Sequence, residues 1–340
     1  MSGEDEPVAP AGILWDTRLM ASDGRNPYVT ATTPSRWSSF LIGVGAALVV
    51  MVPGWLTGGG LQVPTRWVAE RLTGRRPFAF LPLDLDHVFP LFATLVLGGV
   101  LAGLIVRMLR RRLPVRVWPA VWGVLLAQLA AAVQSFIALL ARLGIGGGSE
   151  QAVGAMLMDG TQLLYLLGLV LVVVVGLLFA QLGLLFATRR SPAFGALAVV
   201  LAAPLVTNWI GGPLVVFVSI DSYPEWLAIM LRWLPAVIVG LALVWCGVRP
   251  WGRLSVWVIG LAALWVMPAA ITSISYAVGI RAIQNDPQEI PRAIAQYFVP
   301  MVHAGVAPVV VALVIGVVGT VVRMLVRRSP VSLGETAEGA

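Results

Sequence analysis

Lysine is absent from this chain. All 23 basic residues are arginine, which fits a GC-rich genome and points to no function by itself. Charged residues make up only 11% of the 340 residues, against about 25% in a soluble domain. Hydrophobic residues make up 59%, and the mean hydropathy of +0.90 excludes a soluble globular class. Cysteine is nearly missing as well. Cys246 alone can form neither an internal disulfide nor a cysteine zinc cluster. Histidine occurs twice, at His87 and His303. The nucleophile elbow, the His-Glu-x-x-His helix, the P-loop and the dinucleotide fingerprint are all missing. The sequence therefore assigns no catalytic residue, no cofactor and no metal.

Long apolar runs dominate what remains. They fall near residues 37–57, 88–109, 117–140, 161–187, 194–214, 226–248, 254–277 and 298–326. Each can supply the roughly 20 apolar residues that a bilayer-spanning helix needs. A basic full stop closes every second run: Arg110-Arg111-Arg112-Leu113-Pro114, Arg189-Arg190-Ser191-Pro192, Arg249-Pro250 and Arg327-Arg328-Ser329-Pro330. This pattern predicts an all-α polytopic membrane protein. About eight transmembrane helices would form four helical hairpins, at 36–114, 115–192, 193–250 and 251–330. A polar tail, 1–35, precedes them and a disordered tail, 331–340, follows. Glu4, Asp5 and Glu6 make the first tail unlike a cleavable leader, so the first run is expected to be a retained anchor. Gly211-Gly212-Pro213 predicts a kinked or re-entrant outer end to the fifth run.

Charge sets the expected orientation. The connections holding the basic full stops contain Arg107, Arg110, Arg111, Arg112, Arg116, Arg189, Arg190, Arg249 and Arg253, with no Asp or Glu. With both tails this face carries 15 arginines; the other carries seven, together with nine acids. Arginine bias in short loops predicts that both termini are cytoplasmic and that the protein sits in the cell membrane. Membrane lipids, including anionic headgroups, are the expected partners of these arginines rather than nucleic acid.

The hairpins look alike. Arg36-Trp37-Ser38-Ser39-Phe40-Leu41-Ile42-Gly43 aligns with Arg253-Leu254-Ser255-Val256-Trp257-Val258-Ile259-Gly260. Gly103 through Val106-Arg107-Met108-Leu109 aligns with Gly319 through Val322-Arg323-Met324-Leu325. Hairpins two and three match more loosely, through Trp122-Gly123 and Phe194-Gly195. Duplicated hairpins keep their orientation, so the repeats are expected to be parallel. Pro90, Pro235 and Pro300 are placed in the first turn of a second helix, where a missing N–H costs nothing.

Few polar groups fall inside the spans. Gln128, Ser135, Asn208, Arg232 and His303 form a candidate solute path, with Gln128, Ala131, Ala132 and Ser135 on one helical face. Small polar faces also serve helix packing. No Asp, Glu or Lys is predicted at the midplane, which argues against a carboxylate proton relay. Asp84, Asp86 and His87 form a candidate outer surface cluster with metal-like donors, but three or four converging ligands are needed. The alternatives are a solvated histidine and carboxylates at helix N-termini, where the macrodipole favours them. Outer loop one, through Trp67 and Arg71, reads as a short helix on the outer leaflet or a headgroup clamp.

Three functional readings stay open. The first is a permease-like carrier of an apolar or amphipathic solute or lipid. The second is a non-transporting subunit or scaffold with protein partners in the membrane. The third is an embedded lipid-modifying enzyme.

Overall fold

A computed structural model describes residues 36–58, 79–81, 83, 87–110, 112–113, 115–142, 160–217, 224–279 and 289–328. Regular structure among them is helical throughout. The elements are α1 (Arg36–Gly58), α2 (Val88–Leu109), α3 (Val117–Arg142), α4 (Gly160–Thr188), α5 (Pro192–Ala202), α6 (Val206–Phe217), α7 (Glu225–Cys246), α8 (Leu254–Gly279), α9 (Glu289–Ala304) and α10 (Val306–Arg328). Among the described residues, seven helical stretches are long and apolar enough to cross a membrane. Arg36–Val52, within α1, is a shorter apolar stretch. This is the make-up of a polytopic membrane protein.

The helices alternate in direction. Arg107, near the end of α2, reaches the carbonyls that end α4, and its guanidinium stacks 4.8 Å from the ring of Trp245 at the end of α7. Arg323, near the end of α10, reaches the last carbonyls of α7. The second helices therefore all finish at one end of the bundle. The first helices start there: Ser39 of α1 accepts a hydrogen bond from the Arg116 amide just before α3, at 3.0 Å. Ser191, just before α5, offers its carbonyl to Arg107, and Trp257 of α8 donates to the Gly247 carbonyl after α7.

Glycine sets how closely the helices approach. α1 lies along α3, α2 along α4, and α7 along α10. A Cβ on Gly43 would strike the Ala120 backbone, and one on Gly123 would strike that of Phe40. Gly99 faces the Ala180 backbone, and Gly103, one turn on, faces Leu184 and Ala187. In the other half Gly240 fits against Ile315 and Gly260 against Val200. Between hydrocarbon-embedded helices the hydrophobic effect gives no drive to associate, so close van der Waals contact must supply it. The apolar core is accordingly split into several clusters, the largest joining α5, α7, α8 and α10 around Val239, Leu243 and Trp257.

Three expectations are corrected. The fifth run is interrupted at Ala203–Leu205, a 3-10 turn holding Pro204, while α6 runs on through Gly211-Gly212-Pro213. Pro204 lacks the N–H that would bond back along the helix, and the backbone tightens there to a 3-10 turn; Pro213 lacks it too, yet α6 continues past it. The last run does not begin near 298. α9 starts at Glu289 and breaks at Gly305, whose amide bonds to Met301 and Val302 before α10 continues. α7 starts at Glu225, one residue from the expected 226, and α9 starts nine residues early at Glu289, so Pro235 and Pro300 both lie inside their helices instead of in the first turn. Both helices place a carboxylate, Glu225 or Glu289, at the positive end of the helix dipole.

Candidate functional site

Gln128 sits at the α2–α3 contact and is fully buried. Its Nε2 donates to the Leu95 carbonyl at 2.8 Å. Gly98 makes the room, since a Cβ there would lie 2.8 Å from that nitrogen. The Oε1 of Gln128 is buried with no hydrogen-bond partner among the described residues. Ser135, two turns further on, is also buried, and its Oγ accepts from the Leu81 amide at 2.8 Å. Gln134 Oε1 accepts from the Phe80 amide at 2.9 Å. Together Gln134 and Ser135 hold residues 79–81, whose backbone lacks helical partners and is buried at Ala79 and Leu81. Phe80 packs edge-on to Trp55, with centroids 5.4 Å apart, which ties the same segment to α1.

The other polar candidates do similar work or lie elsewhere. Asn208 is half-buried on α6 between Thr207 and Trp209. Thr207 donates to the Leu231 carbonyl of α7 at 3.2 Å, and Trp209 donates to the Val50 carbonyl of α1 at 3.0 Å. Arg232 is exposed on α7, its guanidinium 5.5 Å from the ring of Trp233. His303 is exposed on α9, with Nδ1 2.8 Å from the Val299 carbonyl oxygen one turn back. Gln128 and Ser135 thus share one face of α3, whereas Asn208, Arg232 and His303 are carried by three other helices. Of the outer cluster, Asp84 and Asp86 lie outside the described residues, as does the loop carrying Trp67 and Arg71. His87 lies just ahead of α2, and its Nδ1 is buried with no partner among the described residues. Among those residues no group of three His, Cys, Asp or Glu gathers to hold a metal ion.

The basic end is the most organised polar region. Arg107 donates to the carbonyls of Arg189 (2.8 Å), Arg190 (3.2 Å) and Ser191 (3.3 Å). Arg323 donates to Val244 and Trp245 at 2.9 and 3.2 Å, and Arg253 donates to Cys246 at 2.9 Å. A helix C-terminus leaves four carbonyls unpaired and carries partial negative charge, so a guanidinium there answers both needs. The sequence marks these arginines as topology signals and as partners of anionic headgroups, not as helix caps. The shared spelling Val-Arg-Met-Leu at both positions was the clue that they do one structural job. Gln181 was overlooked: this amide lies inside α4, and both its polar atoms are buried without partners among the described residues. Ala180 beside it meets Gly99 while Gln128 meets Gly98, so the two glutamines belong to one level of the bundle. No protein-family model matches this chain, and neither the curated proteins nor the solved structures contain a significant match to it.

Proposed function

We propose that this chain is a non-transporting subunit or scaffold of a larger assembly in the cell membrane. Eight helices cross the bilayer, α1 included, as four hairpins with both termini cytoplasmic. One observation carries the reading. Five polar side chains of the spans are spent on neighbouring backbone, Gln128 on Leu95, Ser135 on Leu81, Thr207 on Leu231, Trp209 on Val50 and Arg323 on Val244, although Gln181 and the Oε1 of Gln128 find no partner among the described residues. Groups used to stitch helices are not free to bind a passing solute. The permease reading would need them turned toward one water-filled path.

Duplication of a hairpin is part of this proposal. Two correspondences support it. Gly43 and Gly260 each seat the first helix of a hairpin on the first helix of its neighbour. Arg107 and Arg323 each cap the second helix of that neighbour. A partner would meet the lipid-side stripe of α10. There Val310, Val314, Val317 and Val321 are exposed, and α10 buries far fewer of its residues than α2 does.

Native mass spectrometry of the protein extracted from its own membrane tests the reading. The expected result is a fixed-ratio complex with another membrane protein, which Val314→Trp with Val321→Trp dissociates while the chain stays folded. A monomer that takes up a solute, with uptake abolished by Gln128→Leu, would overturn it.

A further inference from the structure

We propose that the cleft between the ends of α2 and α4 is a binding site for the phosphate of an anionic phospholipid. The inference rests on the chain lying in a bilayer and not on the scaffold reading. Arg107, Arg110, Thr188, Arg189 and Arg190 line a cavity of about 230 Å³. At about 30 Å³ per water in the liquid, that is room for a phosphate group with waters around it.

Electrostatics make this a place for an anion. The end of α4 would repel negative charge through its unpaired carbonyls. Arg107 removes that obstacle by donating to the carbonyls of Arg189, Arg190 and Ser191. Arg110 adds a long contact, 3.5 Å, to the Thr188 carbonyl. The side chains of Arg189 and Arg190 are left exposed at the rim. Among the described residues the carboxylates are Glu225 and Glu289, at the starts of α7 and α9 and so at the opposite end of the bundle. α7 has 22 residues, which at about 1.5 Å per residue puts Glu225 some 33 Å away. That is several times the screening length of about 8 Å at physiological salt, so no described acid competes for these arginines. Guanidinium suits phosphate because its planar fork can donate two parallel hydrogen bonds.

The surroundings favour a lipid over a free ion. Arg189 lies 5.7 Å from the ring of Phe194, which in turn packs on Phe186 at 5.8 Å. Phe194 is exposed, as is Leu182 on α4. An acyl chain descending from the cleft would run along these side chains. Basic clefts between transmembrane helices are known to suit anionic headgroups.

The test uses the full-length protein in a neutral detergent, titrated with phosphatidylglycerol, phosphatidylcholine or inorganic phosphate and read by native mass spectrometry. Phosphatidylglycerol adducts should persist where phosphatidylcholine adducts do not. Arg189→Gln with Arg190→Gln should weaken them about twenty-fivefold, each arginine supplying about the fivefold of one basic residue at an anionic surface. Arg249→Gln, exposed at the same end but outside the cleft, should leave them unchanged. Circular dichroism of the double variant checks the fold, and both rim side chains are exposed enough to be replaced without harm. Equal adducts on wild type and the folded double variant would overturn the site. Retention of inorganic phosphate without phosphatidylglycerol would overturn the lipid as its source.

Discussion

Gly99→Ala places a methyl group onto the Ala180 backbone at the α2–α4 contact. A carbonyl of a packed helix cannot turn aside as a side-chain tip can, so the two helices must separate. Overpacking of this kind costs about 1–3 kcal/mol. Alanine also gains up to about 1 kcal/mol of helix propensity over glycine. Gly45→Ala on α1 isolates the first effect, because Gly45 is exposed and a Cβ there meets nothing within 4 Å. The propensity gain is common to both substitutions. Their difference therefore reads the clash alone, with Gly99→Ala the less stable by about 2 kcal/mol. The assay is unfolding in mixed micelles with increasing SDS, followed through the fluorescence of the 13 tryptophans. The predicted outcome is a lowered midpoint for Gly99→Ala and an unchanged or raised one for Gly45→Ala. Midpoints moving together, within about 0.5 kcal/mol, would refute a glycine-limited contact between α2 and α4.

The same titration carries two further tests. Gln128→Leu loses the bond to Leu95, worth about 0.6 kcal/mol between membrane helices, but also removes an unpaired buried oxygen. Its stability should stay within about 1 kcal/mol of wild type; a loss of several times that would mean the amide does more than stitch. Arg323→Gln withdraws the charged donor from Val244 and Trp245 and should cost about 1–2 kcal/mol, with a smaller loss at high salt if the helix dipole contributes. Orientation is tested by single cysteines at Gly147 and Ser191 in a Cys246→Ser background. An impermeant thiol reagent added to intact cells should label the first and spare the second, and the reverse pattern would invert the topology.

Much of the architecture was legible because the bilayer restricts the choices. Apolar length and arginine punctuation mark α2, α3, α4 and α7 to within a few residues, since lipid demands a fully bonded helix between polar ends. The break in the fifth run was misplaced because Pro204 and Pro213 both lack the amide that a helix uses, and the spelling does not say at which of them the helix tightens to a 3-10 turn. The start of α9 was missed for a related reason. Its first turns are amphipathic, with Arg292 paired to Glu289, so hydropathy alone begins the span too late. The small polar face of α3 was visible as a pattern. What it touches was not, because Leu81 and Leu95 present only backbone to it. Gln134 carried a signal only in standing beside Ser135, and Gln181 was hidden within an apolar run. Which arginine caps which helix depends on pairing α2 with α4 and α10 with α7, and spacing along the chain does not encode that pairing.

The central claim is that the polar groups of the spans bind helices to one another and face no water path. Gln128→Cys in the Cys246→Ser background tests it most directly. The protein is reconstituted in vesicles and exposed to a small impermeant thiol reagent from each side, then again after denaturation. The account predicts no labelling from either side and full labelling once unfolded, because this position is closed between α2 and α3. Labelling of the folded protein from either side would put Gln128 in a water-accessible path, contradict the scaffold and restore the permease reading.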